Sequence, residues 1–160
     1  MIEISELHRL FDYNTETGVL TRRVKTNNKC PVGAVVGSIK KSCKTSYWRC
    51  WFGKQNTYVH RVIWAMVYGD WPKGQIDHID GNGLNNRIQN LRDVTHSENQ
   101  RNKRLQSRNK SGHSGVTWYK PTQKWQAFIS VDGKQKHLGH FGTVEEAAAA
   151  RVAAEAIYWT

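Results

Sequence analysis

A chain of 160 residues holds one ordinary domain or two small ones, and small domains bury a modest share of their surface. With 38% hydrophobic residues, a mean hydropathy of −0.70, seven Trp and six Tyr, it is a polar chain with enough aromatic surface for compact cores, which excludes disorder throughout. The net charge of +11 and pI near 9.8 point to a polyanion, because Lys and Arg gain affinity for nucleic acid by releasing its condensed counterions.

An anionic membrane is the competing partner. However, no apolar run approaches the roughly 18 residues of a spanning helix, and the start, MIEISELHRL, lacks a signal peptide's apolar stretch. The expectation is a cytoplasmic protein with no membrane and no small-molecule substrate. The charge is unevenly spread: residues 1–75 carry 12 basic and 5 acidic groups, 76–100 carry 2 and 4, and 101–160 carry 10 and 4. A short acidic island between basic flanks suits a cation held against a phosphate backbone. Cys30, Cys43 and Cys50 are odd in number and lack C-x-x-C spacing, so reduced thiols are expected rather than a zinc site.

In chain order, a short helix is expected over Ser5–Phe11, then a hairpin turning at Thr15-Glu16-Thr17-Gly18 with its second strand at Val19–Arg22. After the glycines at 33 and 37, Tyr47–Phe52 and Asn56–Val59 form a second hairpin around Gly53-Lys54-Gln55. Val62, Ile63, Met66 and Val67 repeat at helical spacing over His60–Tyr68, and Gly69 and Pro72 stop that helix. Next come a strand at Gln75–Ile79, a turn-rich loop at Asp80–Gln89, a strand at Asn90–Val94 and a helix from His96 to about Arg104. Thr95 and Glu98 form a capping box for this last helix, which puts Asn99 at its fourth position. The segment 101–110 has five basic residues and no acid, as in a linker. Three strands follow at Gly115–Tyr119, Lys124–Val131 and Lys134–Leu138, with Asp132-Gly133 as a hairpin turn. A helix capped by Thr143 and Glu146 and rich in alanine closes the chain.

The segment IDHIDGNGLNNRIQNLRDVTHSENQRN, with YVHRVIWAMVYGDWP before it, resembles the HNH endonuclease motif in the form common among phage and group I intron homing endonucleases. The resemblance covers about residues 56–105 and implies a ββα-metal fold. It implies that His78 is the general base acting on the attacking water, that Asp77 is a metal-binding carboxylate and that Asn90 holds the intervening loop to the backbone. It further implies that Asn99, standing where the family's name has His, completes the metal site. The chemistry is coherent without the family. Phosphodiester hydrolysis needs a deprotonated water and a cation at the leaving oxygen, and a neutral imidazole with an ordinary pKa of about 6.5 serves the first need. One carboxylate and one amide oxygen form a hard, incomplete ligand set suited to Mg²⁺, with Mn²⁺ able to substitute; zinc wants more His or Cys. Adjacent strand residues point to opposite faces, so Asp77 and His78 share one phosphate only if the strand ends or twists between them.

Arg61, Arg87, Arg92, Arg101, Lys103 and Arg104, together with Arg108 and Lys110 of the linker, are candidate DNA contacts. His60 reads equally well as a packed histidine. Beyond the linker, SGVTWY, KWQAFISV and KHLGHFGTVEEAAAARVAAEAI resemble the plant ethylene-response-factor domain of the APETALA type over residues 112–158. In that fold a three-stranded sheet enters the major groove of double-stranded DNA with the helix behind it. Strand alternation then turns Val116, Trp118, Trp125, Ala127, Ile129, Leu138 and Phe141 to the helix. It turns Thr117, Tyr119, Gln126, Phe128, Ser130, Gln135, His137 and His140 to the DNA. The outer face lacks the Arg and Trp of the plant domains, so its base preference does not transfer.

The expected architecture is therefore α+β, with small N-terminal β-sheets, a central ββα-metal motif and a C-terminal three-stranded antiparallel sheet packed on one helix. Its divisions are a β-rich DNA-contacting region (1–55), the nuclease motif (56–105), a basic linker (106–113) and a DNA-binding module (114–160). The expected function is metal-dependent DNA cleavage by a phage homing enzyme. The alternatives are a non-catalytic DNA-binding regulator that keeps the fold and, more weakly, an RNA-binding or RNA-cutting accessory protein.

Overall fold

Helix α1 (Ile4–Leu10) runs straight into the hairpin β1 (Phe11–Asn14) and β2 (Val19–Arg22), whose turn is held by Asn14 Oδ1 accepting from the backbone N–H groups of Glu16 and Thr17. These are the first elements of a computed structural model that describes residues 2–25, 30–41, 45–52, 55–101, 105 and 109–159. The chain divides into two compact units, residues 1–102 and 103–160.

The first unit continues with a three-stranded antiparallel sheet, β3 (Ser38–Lys41), β4 (Ser46–Phe52) and β5 (Gln55–Tyr58), with β4 in the middle. Alternation along β4 sends Trp48, Cys50 and Phe52 to the core and leaves Tyr47, Arg49 and Trp51 on the other face. Helix α2 (Val59–Tyr68) supplies the core's centre with Val59, Val62, Ile63, Ala65 and Met66. Leu7, Phe11, Leu20, Ile76 and Leu91 pack around them. Its end follows from Gly69, whose left-handed φ of 74° turns the chain away while its N–H caps Ala65. The return segment is pinned by Asp93, which accepts from the N–H groups of Lys73 and Gly74, and by Arg61, which donates to the carbonyls of Pro72 and Gly74. A two-stranded antiparallel sheet follows, β6 (Gln75–His78) with β7 (Leu91–Val94), and then α3 (His96–Arg101). Thr95 and Glu98 make the expected reciprocal cap on α3.

In the second unit β8 (Val116–Tyr119), β9 (Lys124–Val131) and β10 (Lys134–Phe141) form an antiparallel sheet with β9 central. Helix α4 (Val144–Tyr158), capped by Thr143 and Glu146, packs on one face of it. The core is small: Val116, Ala127 and Ala147, with Trp125, Leu138, Phe141 and Val144 closing around them. Trp118 lies edge-on to Trp125 at 5.3 Å but stays 45% exposed.

The mixed α+β architecture matches the sequence expectation, with several differences of detail. Helix α1 begins and ends one residue early, since Phe11 joins the hairpin. Strand β3 lies where the glycine spacing gave no strand signal. Asn90 closes a 3₁₀ turn (Ile88–Asn90) instead of opening β7. Strand β10 runs on to Phe141 by absorbing an irregularity between His137 and Gly139. The Gly53-Lys54 turn, residues 106–108 of the basic linker with Arg108 among them, Cys43, Lys103 and Arg104 lie outside the described residues.

Candidate active site

Strand β6 alternates cleanly: Ile76 and His78 turn into the protein, while Gln75 and Asp77 turn the other way. Asp77 faces its cross-strand neighbour Arg92, whose Nε and Nη2 both donate to Oδ2 at 2.9 and 2.6 Å. The Arg92 side chain is 41% exposed, so this pair contributes at most about 1 kcal/mol to stability; its consequence is to fix the carboxylate's direction. Asn99 on α3 donates its amide N–H to Gln75 Oε1 at 2.7 Å, and Gln75 Nε2 meets His96 Nδ1 at 3.2 Å. Gln75 and Asp77 share a strand face, so Asn99 is tied to the same side of β6 as Asp77.

The loop between the strands is a closed polar network. Asn90 donates to Asp80 Oδ1 and to the Asn85 carbonyl, both at 2.9 Å, and its own oxygen accepts from the Asp80 N–H at 3.0 Å. Asp80 also accepts from the Asn85 side chain at 2.7 Å and from the Asn82 N–H at 2.8 Å. These donors, Asn85 first, hold the Asp80 carboxyl below the ordinary carboxylate range. Asp80 is thus the loop's internal anchor. Gly83 is needed on steric grounds alone: a Cβ there would lie 2.5 Å from the Ser46 carbonyl oxygen and from the Tyr47 ring.

His78 occupies the other face of β6 and is only 6% exposed. Its Nε2 lies 3.1 Å from Asn86 Oδ1, and its ring meets His60 edge-on at 5.1 Å and Tyr47 at 5.8 Å. Its Nδ1 makes no hydrogen bond to any described residue and is not sealed off; Nδ1 of His60, by contrast, is buried with no partner. His60 also stacks on Tyr58 at 5.2 Å. Burial, with the neighbouring His78 and the Arg61 charge, pushes its pKa down to about 3, which keeps the ring neutral. β6 ends at His78 and a turn starts at once, so the strand stops just after the pair and not between them, and Asp77 and His78 look to opposite sides.

Residues 57–101 match the HNH endonuclease family. The chain is 40% identical over 80 residues to Protein 3.8 of Escherichia phage T7, a match covering 49% of this chain and 66% of that protein. It is 50% identical over 48 residues to a protein of Bacillus subtilis (strain 168) named "SPbeta prophage-derived putative HNH homing endonuclease YosQ"; 29% of this chain and 28% of that protein are covered. The chain thus spans just under two thirds of the first relative and little more than a quarter of the second. No solved structure gives a significant match.

The donor set on the Asp77 face fits a hard cation. Asn99's amide nitrogen is committed to Gln75, which leaves its oxygen as a donor atom on the strand side that also carries the Asp77 carboxylate. Among the described residues no group of three or more His, Cys, Asp or Glu converges. Carboxylate and amide oxygens of this kind suit a hard cation that keeps most of its water. Cys50 is buried and its thiol is pushed up to about 12, which keeps it protonated.

The candidate DNA contacts sort into two groups. Arg61, Arg87 and Arg92 are engaged with the protein itself: Arg61 with two carbonyls, Arg87 with the Glu16 carbonyl and Arg92 with Asp77. Arg101 and Lys110 are exposed. In the second unit, cross-strand pairing puts Thr117, Gln126 and His140 in one row, Phe128 beside His137 and Ser130 beside Gln135. Tyr119 and His137 each lie within about 5 Å of the His140 ring, at 5.1 and 4.7 Å. Three residues of the first unit were not assigned a role from sequence: Tyr47, Asn86 and Tyr13. Only Asn86 carried a signal, as a member of the Asn85-Asn86-Arg87 triplet. The tyrosines stand 31 and 65 positions before His78, and folding alone brings them to the site.

Proposed function

We propose that the protein is a metal-dependent endonuclease that hydrolyses phosphodiester bonds in double-stranded DNA, in the manner of a phage homing enzyme acting in the host cytoplasm. The observation that carries this reading is the end of β6: Asp77 and Asn99 oxygens on one side, His78 with an open Nδ1 on the other, and the strand stopping just after them at a rigid loop. A phosphate lying across that strand end meets both sides. His78 takes the proton of the attacking water; Asp77 and Asn99 hold Mg²⁺, for which Mn²⁺ substitutes. When bound there, the metal would supply positive charge against the negative charge that develops on the phosphate. Asn90 keeps the loop closed, so neither group has to be organised at the moment of reaction. The likeness of residues 57–101 to HNH endonucleases supports the reaction class, and the net charge of +11 supports a polyanionic substrate.

The remaining assignments belong to the same proposal. Residues 1–55 and the basic linker 106–113 flank the nuclease motif (56–105) and contact the backbone. Lys103, Arg104, Arg108, Lys110 and Arg101 serve the phosphates. The module 114–160 reads DNA with Thr117, Tyr119, Gln126, Phe128, Ser130, Gln135 and His137, as in the plant domain it resembles. A second reading, a non-catalytic DNA-binding regulator, is favoured by one observation: Arg92 already neutralises Asp77. Purified protein incubated with plasmid or phage DNA and Mg²⁺ separates the two. Metal-dependent, mappable ends are expected; binding without such ends supports the regulator.

A further inference from the structure

The face of His78 that does not look to solvent is held by a chain of contacts that starts far away in the sequence. Tyr13 on β1 donates its hydroxyl to the Asn86 carbonyl at 3.0 Å and accepts from the Ile88 N–H at 2.9 Å, clamping the backbone on both sides of Arg87. The β1–β2 turn lies on the same segment: Gly18, at φ 75°, has no Cβ, and one built there would come 2.6 Å from the Arg87 nitrogen and 2.7 Å from the Asn86 carbonyl carbon. Arg87 Nε closes the contact by donating to the Glu16 carbonyl. The strap so held carries Asn86, which is 2% exposed, with its side-chain oxygen on His78 Nε2 at 3.1 Å.

A carboxamide oxygen only accepts. Its partner on a neutral imidazole must be the N–H nitrogen, and the lone pair then resides on the other nitrogen. Nδ1 is the atom without a partner among the described residues. His60 backs the ring from inside, neutral and edge-on at 5.1 Å, and limits its rotation.

We propose that Asn86, clamped by Tyr13 and the β1–β2 turn, is the positioning residue that locks His78 as the Nε2–H tautomer and presents Nδ1 as the proton acceptor. The N-terminal hairpin is then a buttress of the active-site loop. This rests on reading His78 as the general base, but the lock itself is independent of cleavage.

The test is long-range proton–nitrogen NMR of the His78 ring in the full chain, at a pH where the ring is neutral, beside single-turnover cleavage of plasmid DNA. Wild-type protein is expected to show the pure Nε2–H pattern. Asn86→Leu, close in volume, is expected to give a tautomer mixture and to slow cleavage about 10- to 100-fold, the usual cost of removing a group that orients a functional histidine, with DNA affinity within about twofold. Tyr13→Phe keeps the ring and is expected to move both readouts the same way by less. A wild-type ring protonated at Nδ1 overturns the inference even if no variant folds, and so does an unchanged tautomer in Asn86→Leu. Wild-type protein with the Nε2–H pattern that cuts no DNA contradicts the base role of His78 and leaves the lock standing.

Discussion

The ββα segment from Gln75 to Arg101 and the C-terminal sheet use the same materials, antiparallel strands and a capped helix, in opposite ways. In the first, polar side chains bond one another: Asp77 to Arg92, Asn99 to Gln75, Asn90 to Asp80, and His78 to Asn86. In the second, the side chains of Thr117, Gln126 and Gln135 make no hydrogen bond among the described residues, and the core under α4 is a small apolar cluster. Mutual bonding lowers the cost of organising a site at the moment of reaction, whereas an outward polar row leaves its hydrogen-bonding capacity for a partner. On the proposed reading, the first pattern suits chemistry and the second suits recognition.

The strongest way to break this contrast is to remove the imidazole. His78→Ala is expected to lower single-turnover cleavage by about 10² to 10⁴ while leaving DNA affinity within a few-fold, because a general base acts in the transition state and adds little to phosphate binding. Gel-shift and cleavage assays on the same preparation check it; near wild-type cutting removes His78 from the mechanism.

A smaller effect falls on stability. Asn90→Ala opens the Asp80–Asn85 network and leaves part-buried groups without partners, at an expected cost of about 1–3 kcal/mol in urea unfolding. On the C-terminal sheet Gln126→Ala is expected to stay within about 0.5 kcal/mol, since it breaks no such network. Equal costs at the two positions erase the distinction.

His60 sharpens the comparison through pH. Its pKa is about 3 in the folded chain, below its ordinary value, so between roughly pH 6.5 and 3 the unfolded chain binds the extra proton. Stability contributed by the neutral ring is therefore complete above this window and falls as pH drops through it, by up to about 1.4 kcal/mol per pH unit. His60→Phe is expected to flatten that slope between pH 6 and 4 in unfolding experiments, and an identical slope contradicts the buried, neutral ring. The smallest effect belongs to the outer sheet face: Tyr119→Ala with Gln126→Ala is expected to weaken DNA binding several-fold with an unchanged salt slope, because neither side chain neutralises phosphate. A changed slope assigns the loss elsewhere.

Much of this was legible in the sequence where a period or a cap signal existed. The alternation of β9 gave its two faces, the spacing of Val62, Ile63 and Met66 gave α2, and Thr95 with Glu98 gave α3. The motif residues Asp77, His78, Asn90 and Asn99 were found by resemblance. What escaped was fixed by tertiary contact. Tyr47 meets the His78 ring and Tyr13 holds the backbone around Asn86, contacts between residues far apart in the sequence that no local pattern encodes. The ion pairing of Arg92 follows from strand register, not from its own position. Strand β3 formed beside β4 although Ser38-Ile39-Lys40-Lys41 offers little periodicity of its own.

The central claim is that the Asp77 side of β6 holds the cation while His78 acts from the other side. Single-turnover cleavage measured against Mg²⁺ concentration, for wild type and Asn99→Ala, tests it most directly. The account predicts that Asn99→Ala needs more Mg²⁺ and cuts more slowly at saturation, with Asn99→Asp retaining more activity because it keeps an oxygen ligand. An unchanged Mg²⁺ dependence in Asn99→Ala would contradict it.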